Sequence, residues 1–484
     1  MNLKKSLILL FSIICTFATL AKAEKPWAHG ALRVSDNGMY LCHTDGAPFF
    51  WLGDTGWLLP ERLDRDEAAF YLHRLSEADY NVVQVQTINA VPAINAYGQL
   101  SHLNGWDFTA IDRPGEYGYW DHMDYIISTA EQNGIYVGMV CIWGGLVKAG
   151  LMDVEQARAY GRFLAERYRQ RPNIVWIIGG DIEGSVKTEV WDTLAETIRE
   201  LDPEHLMTYH PRGRTTSAKW FNSRQWLDFN MFQSGHRRYG QRMGNKQYPI
   251  PDDTEEDSWM YVDSARVRGP LKPVLDGEPS YEDIPQGLHS DAEPHWSARD
   301  VRRYAWWSVF AGSCGHTYGH NAIMQFVRPG IKGAYFADGT VTPWWKALDA
   351  PGFNQMKHLK RLMLTLPYMD RIADQSIILN NGNRYDRLIA TRGNDYALVY
   401  NHTGRHMQLD LSSITGKEKN IWWMDAATGC ISYIGKTGNH IDFKPASDAD
   451  GVLIAIDSHC KYITPSTSSL SPSPTIIDSS LLVE

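Results

Sequence analysis

The sequence predicts a (β/α)8 TIM barrel, of class α/β, closed by a small C-terminal β-sandwich, and three observations carry that prediction. From residue 49 to about 320, short apolar, β-branched runs alternate with amphipathic helical stretches. Past the helical stretch Phe353–Leu366 the texture changes to short alternating strands divided by turn residues. At 484 residues the chain is too long for one ordinary core, but it accommodates a barrel of about 250 residues or more and a smaller domain.

Eight runs read as barrel strands: Phe49–Gly53, Asn81–Thr87, Ile135–Ile142, Ile174–Gly179, Leu206–His210, Phe229–Gln233, Pro273–Asp276 and Ala311–His316. Between several of them lie Arg65–Ala78, Tyr119–Asn133, Val154–Arg169 and Thr188–Leu201, whose apolar residues recur with helical spacing. Parallel strands need crossover helices of about this length. An open doubly wound sheet is the rival, but no GxGxxG turn follows the first strand. The stretch from Gly235 to Lys272 reads as a long loop on the catalytic face, a wall for a substrate pocket.

The sandwich strands are Leu388–Thr391, Tyr396–Asn401, Met407–Leu411, Asn420–Met424, Cys430–Ile434, His440–Phe443 and Val452–Ile456. Adjacent Trp422 and Trp423 must face opposite ways, so one is expected to pack against the barrel. At the N-terminus, Lys4 and Lys5 precede the apolar stretch Leu7 to Leu20, and Ala21-Lys22-Ala23 is a small-x-small cleavage site. The domains expected are therefore a signal peptide (1–23), a barrel (24–367), a sandwich (368–460) and a disordered Ser/Pro-rich tail (461–484). Export to the periplasm or beyond follows from the leader.

Cleavage there removes three lysines and no acid, taking the net charge from −9 to −12. An acidic chain without a basic block is a poor partner for nucleic acid or anionic membranes. Five cysteines remain, an odd number without a CxxC pair, so neither a disulfide scaffold nor a zinc knuckle is indicated. Cys141 and Cys314 read as buried thiols.

Two strand ends carry the chemistry. Asn173 to Asp181 (NIVWIIGGD) and Pro273 to Glu278 (PVLDGE) each pass from a buried apolar run through Gly to an acid. A parallel barrel presents its reactive groups at the C-terminal ends of its strands, and two acids there are the minimum equipment for glycosidic cleavage. Structural alternatives are a helix N-cap or a partner for a nearby Arg. Glu183, two residues past Asp181, and Glu282 are rival acids. Asp54, in Trp51-Leu52-Gly53-Asp54-Thr55-Gly56-Trp57, is expected to bind sugar hydroxyls. Trp57, Gln86, Trp143, His210, Gln233, His236, Trp296, His316, Tyr318 and His320 join it near strand ends. Trp143 either stacks on a sugar or packs in the core. The histidines brace a carboxylate or donate to a hydroxyl. No His-x-His closes strand one and no HExxH occurs, so no metal or other cofactor is expected.

The motifs WLGDTGW, GGD and DGEPSYE, in this order and with the closing β-domain (a module labelled collagen-binding), resemble the apiosidase-like glycoside hydrolases, family 140. The resemblance covers roughly residues 27 to 457. It implies an exported, retaining barrel enzyme acting on apiose in the plant-wall pectin rhamnogalacturonan II, with Asp181 as acid/base and Glu278 as nucleophile. In the wider barrel superfamily the acid/base is usually Glu after Asn, whereas Asp181 follows Gly180, which keeps Glu183 in play. The competing class is a carbohydrate- or matrix-binding protein that has lost catalysis on the same scaffold.

Overall fold

A computed structural model describes residues 25–103, 106, 117–241, 256–288, 292–330 and 342–460. The expected signal peptide and tail lie outside the described residues. Eight parallel strands form a nearly closed barrel: Trp51–Thr55, Val82–Gln86, Tyr136–Val140, Ile174–Ile182, Met207–Pro211, Asn230–Gln233, Val274–Asp276 and Gly315–Tyr318. The eighth pairs with the first in parallel register, His316 beside Leu52 and Tyr318 beside Asp54. Strands five and six approach each other through the Asp228 N–H donating to the Met207 carbonyl at 2.9 Å.

All eight sequence-predicted strands form, with starts shifted most at the two that meet and strand four running on to Ile182. The first begins at Trp51, because Pro48–Phe49 instead completes a three-stranded antiparallel sheet with Leu32–Val34 and Leu41–His43. The eighth begins at Gly315, because Ala311 caps the helix Ala298–Phe310. The long stretch after strand six is not all loop: Ser258–Arg266 is helical. Its middle, residues 242–255, lies outside the described residues.

Alternation along the strands sorts side chains between the barrel interior and the helical layer. Trp51 points inward, with Nε1 donating to Thr317 at 3.0 Å and its ring 5.9 Å from that of Phe229, which immediately precedes strand six. Leu52, Asp54, His316 and Tyr318 therefore point outward, toward the helices.

The C-terminal domain is an antiparallel six-stranded sheet, in the order Ile372–Ala373, Leu388–Arg392, Tyr396–Asn401, Gly451–Asp457, Lys419–Asp425, Ile431–Thr437, with Met407–Asp410 and His440–Phe443 paired beside it. One face of the large sheet carries Ile421, Leu453 and Ala455 into the sandwich's own core. The other carries Tyr400, Trp422, Met424 and Ile454 into the apolar cluster of the barrel itself. Trp422 is thus the tryptophan on the barrel side, and Trp423 packs inside the sandwich. Trp306 of the helix Ala298–Phe310 stacks on Tyr400, centroids 5.6 Å apart at 8°. Arg302 of the same helix grips Asp450 with two hydrogen bonds, 3.0 and 2.6 Å. Cys42, Cys141 and Cys314 are buried free thiols, whereas Cys430 is exposed.

Candidate active site

Strand four ends in a bulge. Its register against strand five breaks between Gly179 and Ile182, and Gly179, Gly180 and Asp181 have φ of 85°, 135° and 47°. A Cβ on Gly180 would lie 2.8 Å from Trp143 Cε3, and one on Gly179 would lie 2.7 Å from the His210 carbonyl oxygen, so both positions demand glycine. Asp is among the residues that tolerate the left-handed region, and the bulge turns its side chain into the mouth of the barrel.

Across the mouth, Glu278 follows strand seven and is 7% exposed. Its Oε2 lies 3.0 Å from His210 Nε2 and its Oε1 3.3 Å from His236 Nε2. The charge of Glu278 also acts on the Tyr281 hydroxyl, which accepts a hydrogen bond from Trp57 Nε1 at 3.0 Å. The other ring nitrogen of His210, Nδ1, accepts from the Asp181 backbone N–H at 3.1 Å. With Nδ1 accepting, the ring proton sits on Nε2, the nitrogen 3.0 Å from Glu278 Oε2. One imidazole therefore joins the backbone of the first acid to the carboxylate of the second.

The two acids are poised in opposite directions. Burial acts to raise the Glu278 pKa, but the two imidazoles outweigh it and hold the group at about 2. Asp181 is exposed at the mouth of the cavity, yet the protein packed around its carboxyl pushes it up to about 6, first by desolvation and then by the charge of Glu278, against a Gly213 N–H 3.3 Å from its Oδ1. Between these two values one carboxyl carries a proton to give while its neighbour is ionised. The rivals are committed elsewhere. Glu183 pairs with Arg212 at 3.0 Å. Glu282 is buried, accepting from the Tyr318 hydroxyl at 2.6 Å and the Gly352 N–H at 3.3 Å.

Beside Asp181 opens a cavity of about 300 Å³, walled by Arg212, Gly213 and Arg214 after strand five, Gln233, Gly235, His236 and Arg237 after strand six, and Gly287 and Leu288. Glu278 touches this wall at His236. Trp57 and Trp143 stand next to His210, ring centroids 5.5 and 6.0 Å away, and 5.7 Å from each other. Gln86, half-buried at the end of strand two, donates its N–H to the Trp57 carbonyl at 2.9 Å.

Seven of the expected residues besides Gln86 therefore converge: Asp181, Glu278, Trp57, Trp143, His210, Gln233 and His236. Four do not. Asp54 is fully buried on the outward face, where its Oδ2 accepts from Tyr71 of the helix Arg65–Glu77 at 2.5 Å. Burial lifts it to about 7. His316 is sealed beneath the helices, neither ring nitrogen finds a partner, and burial drives its pKa down to about 3. Tyr318 packs edge-on against Phe353, 5.9 Å away. Trp296 lies buried in a small cluster with Tyr281, Ile284 and Tyr304, and bonds only the backbone carbonyl of His236, at 3.1 Å. His320 caps the short helix Asn321–Met324. Tyr281 and the three arginines were missed from the sequence. Basic residues after two adjacent strand ends, Pro211-Arg212-Gly213-Arg214 and His236-Arg237-Arg238, were the signal available for the latter. Among the described residues no cluster of three or more His, Cys, Asp or Glu is placed to hold a metal ion.

A barrel with two carboxyls at opposed strand ends, one raised and one lowered, defines a glycoside hydrolase. The comparisons narrow this. The protein-family model "Apiosidase-like, catalytic domain" matches residues 35–370, and a collagen-binding-like domain model matches residues 372–455. The chain is similar to a structure described as a glycoside hydrolase family 5 from Bacteroides vulgatus ATCC 8482, with 59% identity over 93% of this chain and 99% of that one, and a TM-score of 0.91. It is also similar to a structure described as a glycoside hydrolase, with 58% identity over 91% and 100% of the two chains and a TM-score of 0.89. Comparison with curated proteins found no match. The chain belongs to the apiosidase-like glycoside hydrolases and is a glycosidase acting on carbohydrate.

Proposed function

We propose that this glycosidase is exported by its N-terminal leader and cleaves an apiosyl linkage in the plant-wall pectin rhamnogalacturonan II by a retaining mechanism. Asp181 protonates the leaving oxygen while Glu278 attacks the anomeric carbon, and Asp181 then takes a proton from the water that releases the sugar. The observation that carries the roles is the placing of the two carboxyls: Glu278 is held between His210 Nε2 at 3.0 Å and His236 Nε2 at 3.3 Å, which favours its ionised form, while Asp181 faces the cavity, has no cationic partner of that kind among the described residues, and is raised. A nucleophile must be ionised and an acid protonated at one pH, and only this assignment of the pair satisfies both. His210 and His236 keep Glu278 ionised, Trp57 and Trp143 offer aromatic faces beside it, and Gln233 supplies an amide to a hydroxyl. Arg212, Arg214 and Arg237 around the cavity suit a polymer rich in uronate carboxylates, as pectin is.

The test is release of apiose from rhamnogalacturonan II fragments, with NMR of the anomeric proton in the first minutes. Apiose released with its starting configuration supports the reading. Release of a different sugar overturns the substrate, and inverted configuration overturns the mechanism.

A further inference from the structure

We propose that the C-terminal domain reaches into the catalytic site: Tyr385 clamps the wall of the cleft through Glu256 and Tyr239 and so holds His236 against Glu278. Glu256 is fully buried, and its carboxylate gathers three elements. The Tyr239 backbone N–H donates to Oε1 at 2.7 Å, the Tyr385 hydroxyl donates to the same oxygen at 2.7 Å, and Arg303 of the barrel helix pairs with Oε2. Tyr239 lies behind the wall, three residues after the lining residue His236. Tyr385 belongs to the C-terminal domain, just before the strand Leu388–Arg392.

Further contacts join the same two surfaces. The Arg384 guanidinium lies 5.2 Å over the Tyr239 ring, and that of Arg387 lies 3.6 Å over Trp259. Such contacts fix ring positions as well as adding attraction. From Tyr239 the path to the chemistry is short. Arg238 pairs with Glu293 at 3.1 Å, and the His236 carbonyl accepts from the Gly287 N–H at 2.6 Å. The His236 ring then meets Glu278 at 3.3 Å. Tyr385 is a positioning residue in this scheme, acting through the wall.

The docking of the two domains centres on the Trp306–Tyr400 stack and the Arg302–Asp450 pair, and it meets the clamp at His402, whose ring lies 6.1 Å from that of Tyr385. Variants on the two sides of that meeting point test the proposal in the full-length protein: Tyr385→Phe, Arg384→Ala and, as a docking control, Asp450→Asn. Tyr385 and Arg384 are exposed enough for both variants to fold. The enzymatic readout rests on the proposed function above: kcat, KM and the pH profile on rhamnogalacturonan II fragments. Tyr385→Phe should lower kcat/KM about ten-fold, since small misplacements at a reacting centre are amplified, and should move the acidic limb to higher pH as His236 loosens from Glu278. Its Tm should stay within about 3 °C of wild type. Asp450→Asn should lower Tm and leave kcat/KM and the acidic limb in place. Wild-type kinetics in Tyr385→Phe, or the same profile in both variants, would overturn the proposal. Should the wild-type enzyme release nothing from these fragments, the proposed function fails while the clamp is still read from a crystal structure of Tyr385→Phe. A His236–Glu278 separation unchanged from 3.3 Å would then refute it.

Discussion

Changing pH is the sharpest perturbation of this site, because its two carboxyls are displaced in opposite directions. The free enzyme is competent only with Glu278 ionised and Asp181 protonated, so kcat/KM should form a bell with limbs at about 2 and about 6. The plateau should centre near pH 4. At pH 7 about a tenth of Asp181 would carry its proton, and kcat/KM should have fallen about ten-fold from the plateau. Stability follows the same groups with opposite signs. Glu278, ordinarily at 4.5, binds its proton less readily when folded, so its ionised form stabilises the fold above about 4.5. That contribution, at most about 3 kcal/mol, is lost as the pH falls toward about 2. Asp181 is raised, so its protonated form favours the fold, and that advantage fades as the pH climbs through about 6. The assay is initial rate against pH at substrate concentrations well below KM, with thermal unfolding recorded across the same range. A kcat/KM still rising above pH 7 would refute the assignment of Asp181 as the proton donor. So would a basic limb left in place by Asp181→Asn on an aryl glycoside whose leaving group needs no proton.

Other outcomes follow from individual contacts. Asp181→Asn and Glu278→Gln should each remove most turnover while melting near wild type. Glu183→Gln, which loses only a half-exposed ion pair with Arg212, should change stability by less than about 1 kcal/mol and keep most activity; kinetics on the three variants decide this. Gly180→Ala forces a Cβ against Trp143 at φ 135°, so it should lower both Tm and kcat, by about 2 kcal/mol or more in stability. Arg303→Met leaves the Glu256 carboxylate buried without its cation and should cost about 3–5 kcal/mol in chemical denaturation. A chain ending near residue 367 should aggregate, since it bares Trp306 and its neighbours; soluble, fully active material would contradict this.

Much of this architecture was legible in the sequence because parallel barrel strands are apolar on both faces and announce themselves as continuous runs. The same property hid which face each residue takes. A strand without polar alternation carries no parity signal, and a shift in its start changes the count to every later side chain. Asp54, His316 and Tyr318 sit on the two strands whose starts shifted most, and they turned out to face the helices. Asp181 and Glu278 stood out in the sequence because glycines precede them, and the glycines before Asp181 have a structural task at the bulge of strand four. Tyr281 was not, since the chain past Pro279 leaves the strand and no periodicity survives there. Trp296 failed for a similar reason: it lies in a loop, and an aromatic ring in a loop reads equally as a sugar platform or as a plug for a small core.

The apolar cluster shared by the barrel helices and one face of the C-terminal sheet bears on how such a protein can change over time. The border near residue 370 divides two topologies without dividing a hydrophobic interior. Neither half can be exchanged for a foreign module without recutting a surface that holds Trp306, Tyr400 and Trp422 together. Substitutions on either side of the seam are therefore answerable to the other, and the two segments are inherited as one object. The same bond sets a limit on redesign: a new specificity is more safely written into the cleft-lining turns after strands five and six than obtained by transplanting the whole barrel onto a different partner.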